Sequence, residues 1–71
     1  MAFSTEQPTI LVVEDNGLLR TEIAEALRSA GCHVLEAPSG EAAVALIRSG
    51  AGIQMLVTDI QAARRWRQFL T

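Results

Sequence analysis

Three short apolar runs, separated by two longer amphipathic stretches, make up the hydrophobic pattern of this chain. The runs are Ile10–Val13, Cys32–Ala37 and Met55–Asp59. The first and third are apolar, with β-branched residues and no regular alternation, which is typical of strands buried on both faces of a parallel sheet. The middle run is more polar, so we expect it at the edge of the sheet. The pattern therefore predicts three strands.

The two stretches between these runs have helical spacing. In both of them apolar residues recur every three or four positions between polar ones, as on an amphipathic helix. Asn16 and Ser39 are suited to cap the two helix starts, and Gly31 and Gly50 are suited to end them. The apolar positions expected on the first helix are Leu19, Ile23, Ala26, Leu27 and Ala30. The predicted order is β-α-β-α-β, an α/β arrangement with a parallel sheet.

The handedness of crossover connections predicts how the strands are ordered. Right-handed crossovers that place the two helices on opposite faces give the order 2-1-3, and a ligand crevice then lies beyond the carboxyl ends of strands one and three. Glu14, Asp15 and Asp59 stand at those ends. Three carboxylates at one place repel each other unless a cation lies among them, and hard oxygen ligands suit Mg²⁺. The sequence predicts a divalent-metal site there.

Length and composition limit the class of protein. The chain has 71 residues, of which 49% are hydrophobic and 20% charged, as expected for one small globular domain. No apolar run is long enough to cross a bilayer, and the N-terminal residues lack the pattern of a signal peptide. The single cysteine, Cys32, excludes an internal disulfide and fits a reducing compartment. We therefore expect a cytoplasmic protein without a membrane segment.

The charges are unevenly distributed along the chain. All eight acidic residues lie in positions 1–60, and positions 61–71 contain three of the six arginines and no acid. Apolar residues of this tail recur at helical spacing, so we expect a short C-terminal helix. These apolar residues are Ile60, Ala63, Trp66, Phe69 and Leu70. Three positive charges support only weak, salt-dependent binding to nucleic acid, so a solvated helix face is the favoured interpretation.

Four segments together resemble the N-terminal half of the receiver domain of two-component response regulators. The segments are ILVVEDN at 10–16, GCHVLEA at 31–37, SGEA at 39–42 and LVTD at 56–59. The resemblance covers about residues 9–60 and implies a truncated flavodoxin-like fold with sheet order 2-1-3. The chain then divides into a flexible leader at 1–8, a partial receiver domain at 9–60 and a divergent, arginine-rich helix at 61–71.

The resemblance also implies a function and a set of site residues. Asp59 matches the aspartate that accepts a phosphoryl group from a histidine kinase. Glu14 and Asp15 match the acidic pair that binds Mg²⁺, and Asp59 and the backbone carbonyl of Gln61 match further metal ligands. The chain would then be a phosphoryl acceptor in a phosphorelay rather than an enzyme.

The sequence after the acceptor departs from the family pattern. Family members continue with a Met-Pro-like loop and with two strands that end in a Ser or Thr and a Lys, whereas here Asp59 is followed by IQAARRW and the chain contains no lysine. Two phosphate contacts therefore lack a counterpart, as would follow from truncation or a frameshift after Ile60. We expect a homo-oligomer formed through the edge of strand three or the C-terminal helix. The alternative hypothesis for function is a receiver remnant that is inactive in phosphotransfer and acts as a homodimerising interaction module.

Overall fold

The computed structural model describes residues 7–58, which form a three-stranded sheet and two helices. The elements are β1 (Thr9–Val13), α1 (Gly17–Ser29), β2 (His33–Ala37), α2 (Gly40–Arg48) and β3 (Met55–Thr58). This order confirms the predicted β-α-β-α-β arrangement. The predictions for residues 1–6, for the site residues Asp59 and Gln61 and for the C-terminal helix lie outside the described residues.

The sheet is parallel, and its strand order is β2-β1-β3. In the central strand, Ile10 is paired with Val34 of β2 and with Met55 of β3. The predicted order 2-1-3 is therefore confirmed, and within residues 7–58 β2 lies at the edge of the sheet, as predicted. A central parallel strand is covered on both faces, which explains why β1 is apolar from Ile10 to Val13.

Two core layers lie on opposite faces of the sheet. Because successive side chains of a strand point to opposite faces, β1 contributes alternate residues to each layer. On one face Leu11 and Val13 pack with Ala43 of α2, and on the other Ile10 and Val12 pack with Ala24 of α1. The two helices therefore cover opposite faces, as the right-handed crossovers predicted.

Both helices begin and end at the predicted residues. The Asn16 side chain accepts a hydrogen bond from the third backbone amide of α1 at 3.0 Å, and the Ser39 hydroxyl accepts the equivalent bond in α2 at 3.1 Å. Just past the helix ends, Gly31 and Gly50 have φ angles of +94° and +86°, in the left-handed region that glycine adopts without strain. Local sequence thus determines the helix limits.

The buried face of α1 differs from the predicted one. Ala24 is fully buried, and Ile23 and Leu27 pack against the same layer. Leu19 is 43% exposed, and the predicted core positions Ala26 and Ala30 are exposed too. The apolar stripe of α1 is wider than the strip of sheet that it covers, so the helix is rotated to place its Ala24 side against β1 and β2.

The outer strand β3 is only partly covered. Among residues 7–58 it pairs with β1 alone, and Met55 and Leu56 are 57% and 41% exposed. The same described part of the chain contains no helix with the length and apolarity needed to cross a membrane.

Candidate functional site

The candidate site lies at the carboxyl ends of β1 and β3. Val13, the last residue of β1, is paired with Thr58, the last residue of β3. Glu14 follows Val13 in the chain, and Asp59 follows Thr58. The parallel pairing therefore brings two of the predicted strand ends side by side. Of the four predicted metal-ligating residues, Glu14 and Asp15 are described, whereas Asp59 and Gln61 are outside the described part.

Glu14 is a buried acid at the end of the central strand, with 8% of its surface exposed. Its backbone N–H donates to the carbonyl of Ala37 at 3.1 Å, which extends the pairing with β2 by one residue. Its carboxylate Oε2 accepts a hydrogen bond from the backbone N–H of Asn16 at 3.0 Å. A buried carboxylate needs such donors, and the nearby N-terminus of α1 also favours negative charge.

Asp15 stands beside Glu14 but is exposed to solvent. One buried and one exposed acidic residue, consecutive in the chain between β1 and α1, offer hard oxygen donors. Mg²⁺ is usually held by one or two carboxylates together with waters and phosphate oxygens, so this donor pair fits that ion. Within residues 7–58 no group of three or more His, Cys, Asp or Glu residues is close enough to hold a metal.

Sequence reasoning missed Arg20, which contacts the candidate site from α1. Its Nη1 donates to the backbone carbonyl of Glu14 at 2.8 Å, and its Nε lies 3.4 Å from Oε1 of Glu36 on β2. The Arg20 side chain is only 21% exposed. It lies on the side of α1 that carries Ala24, the side that the structure turns toward the sheet.

Arg28 completes this arrangement from the other end of α1. Its Nη1 lies 3.2 Å from Oε2 of Glu36, and its Nη2 donates to the backbone carbonyl of Val34 at 3.0 Å. Each oxygen of Glu36 therefore faces one arginine, and we call this the Arg20–Glu36–Arg28 cluster. One signal in the sequence could have indicated this cluster. Glu36 comes two residues after the core residue Val34, so both lie on the same face of β2, and an acid on a covered face needs a partner.

Comparison of the chain with protein-family models, with curated proteins and with solved structures finds no match. The functional interpretation therefore depends on the residues of this chain and on their arrangement.

Proposed function

We propose that this chain is a receiver-type signalling protein that accepts a phosphoryl group on Asp59 from a histidine kinase, with Mg²⁺ bound beside Glu14 and Asp15. The pairing of Val13 with Thr58 in adjacent parallel strands carries this proposal. It supports a common location for the acidic pair after β1 and the acceptor after β3. A cytoplasmic location is part of the proposal, since Cys32 is the only cysteine and needs no oxidising compartment.

Covalent geometry supports a shared cation at these strand ends. Neighbouring strands lie about 4.8 Å apart, and consecutive Cα atoms are about 3.8 Å apart. Thr58 is paired with Val13 in the neighbouring strand. Asp59 and Glu14 each come one residue after this pair, so the Cα atom of each is about 3.8 Å from that of its paired neighbour. Carboxylate side chains that extend from such positions can reach a common ion.

The chemistry follows from the residue types. A carboxylate oxygen of Asp59 attacks the phosphorus atom in line and forms the new O–P bond, while the bond from phosphorus to the donor imidazole nitrogen breaks and its electron pair stays with the imidazole. When bound, Mg²⁺ would offset negative charge on the phosphoryl oxygens. Glu14 and Asp15 would hold it in place.

Intact mass spectrometry of the full chain tests this proposal. The protein is incubated with Mg²⁺ and a small acyl-phosphate donor, in parallel with an Asp59→Asn variant, which keeps the side-chain shape and removes the nucleophilic carboxylate. We expect one phosphoryl adduct on the parent, none on the variant, and none on the parent when a chelator has removed Mg²⁺ before the donor is added. A folded parent that gains no phosphoryl group, or a variant that gains as much as the parent, contradicts the proposal.

The exposed apolar residues of β3 favour a second candidate function, a homodimerising interaction module. Met55 and Leu56 lie on opposite faces of this strand, and both are substantially exposed. An apolar edge strand readily pairs with another strand, and a second copy of the chain would supply one. Light scattering over a range of protein concentrations tests this candidate. A mass that stays monomeric throughout that range counts against it.

A further inference from the structure

The peptide that joins Glu14 to Asp15 is hydrogen-bonded by the side chain of Arg20 in α1. The carbonyl of this peptide accepts the 2.8 Å hydrogen bond from Nη1 of Arg20. Arg20 lies one turn into α1, so this bond crosses from the helix back to the end of β1. A charge-assisted bond of this length fixes the plane of the peptide. The direction in which the Asp15 side chain leaves the backbone depends on that plane.

Glu36 of β2 sets the orientation of the Arg20 side chain. Its Nε faces one oxygen of Glu36 at 3.4 Å, and the second oxygen of Glu36 faces Arg28 at 3.2 Å. Glu36 is 28% exposed, and its side chain lies between the two guanidinium groups. Contacts therefore run from Arg28 through Glu36 and Arg20 to the Glu14 carbonyl. This path connects β2 to the end of β1 through α1.

We propose that Arg20 is a positioning residue for the magnesium site, which it serves by holding the Glu14–Asp15 peptide in the orientation that metal binding requires. The inference rests on the proposed function, because it assigns Arg20 to the same site. A ligand pair that is already oriented loses less conformational freedom when the ion binds. Residues that orient metal ligands in this way typically affect metal affinity by about tenfold or more.

Arg28 offers a matched control within the same cluster. Like Arg20, it pairs with Glu36 and donates to one backbone carbonyl, in this case that of Val34 inside β2. Arg28→Ala therefore removes the same kinds of contact as Arg20→Ala, but it leaves the Glu14 carbonyl bond intact. A purely structural role for Arg20 predicts that both variants behave alike.

The experiment compares the parent chain with Arg20→Ala and Arg28→Ala in two measurements. Calorimetric titration with magnesium chloride gives the dissociation constant for Mg²⁺, and urea unfolding gives the stability of each folded protein. We expect the dissociation constant to rise about tenfold in Arg20→Ala and by less than about twofold in Arg28→Ala, with comparable losses of stability. Arg20→Lys, which retains a positively charged donor, is expected to fall between the parent and Arg20→Ala.

The outcomes separate this inference from the proposed function. Equal Mg²⁺ affinity in the parent and Arg20→Ala overturns the positioning role and leaves the proposed function standing. Equal weakening in Arg20→Ala and Arg28→Ala also overturns it, because the effect then follows stability rather than the site. Absence of Mg²⁺ binding by the folded parent overturns both. Recovery of the parental phosphorylation rate by Arg20→Ala at saturating Mg²⁺ supports the positioning role.

Discussion

Leu11 and Leu56 allow one substitution to be compared at the centre and at the edge of the same sheet. They are directly opposite each other in the β1–β3 pairing and therefore lie on the same face. Leu11 is fully buried, whereas Leu56 is 41% exposed. Replacing each by alanine removes the same atoms, so any difference in the free energy of unfolding reports how well each position is covered.

The expected costs follow from these exposures. Leu11→Ala leaves a cavity in the layer that contains Val13 and Ala43, and substitutions of this kind cost about 2–5 kcal/mol, so we expect about 3. For Leu56, three carbons at about 0.8 kcal/mol each, reduced by the exposed 41%, give about 1.4 kcal/mol. Truncating a side chain that is already 41% exposed adds little cavity cost, and the predicted difference between the two variants is about 1.5–2 kcal/mol.

Urea unfolding followed by far-ultraviolet circular dichroism measures both costs. A chain of this size has about 4–10 kcal/mol of total stability, so Leu11→Val serves as a milder central variant if Leu11→Ala is unfolded in water. Equal slopes of free energy against urea concentration show that the native states are comparable. We expect the order Leu11→Ala, then Leu56→Ala, then parent, from least to most stable.

Equal costs at the two positions would refute the reasoning, because Leu56 would then be as well covered in solution as Leu11. Repeating the titration at several protein concentrations identifies the cover. A cost that grows with concentration indicates a second copy of the chain, since association stabilises by mass action. A large cost that does not change with concentration indicates cover from within the chain.

Two further predictions concern the helix ends. Asn16→Ala removes the capping oxygen and should lower the free energy of unfolding by about 1 kcal/mol in urea unfolding. Asn16→Ser supplies another capping oxygen and should retain most of the parental stability. Equal stability of all three proteins would show that the cap bond contributes nothing. Gly50→Ala should cost about 1 kcal/mol or more, because the φ of Gly50 is +86°. Gly52→Ala should be neutral or slightly stabilising, because the φ of Gly52 is not positive and the added methyl group meets no atom within 4 Å. The reverse order of stability in thermal unfolding would contradict this prediction.

The candidate site was predictable only in part. Glu14 and Asp15 stand immediately after an apolar run, and the end of such a run predicts the carboxyl edge of a buried strand. That Glu14 is buried and Asp15 exposed did not follow from the pattern, because burial there depends on the turn into α1 and on pairing with Ala37. The receiver interpretation stays a prediction that the phosphorylation experiment tests.

The role of Arg20 could not be predicted from periodicity. On a helix, a charged residue between apolar ones is normally assigned to the solvent face, and Arg20 lies between Leu19 and Ile23 of the predicted apolar stripe. In the structure the helix is rotated, Leu19 is exposed, and Arg20 meets Glu36 and the Glu14 carbonyl. Which side of α1 faces the sheet depends on the shape of the sheet surface and on an acid in another strand. The local spacing of apolar residues carries no information about either.

The sequence by itself determined the order of elements, the helix limits at Asn16, Gly31 and Ser39, and the strand order 2-1-3. Capping and backbone conformation are local properties, and crossover handedness leaves few topologies open. Only the tertiary structure decided which side of α1 is buried, how the Arg20–Glu36–Arg28 cluster forms and how far the β3 edge is exposed. These features depend on segments that are distant in the chain and compete for the same surfaces, so no local pattern specifies them.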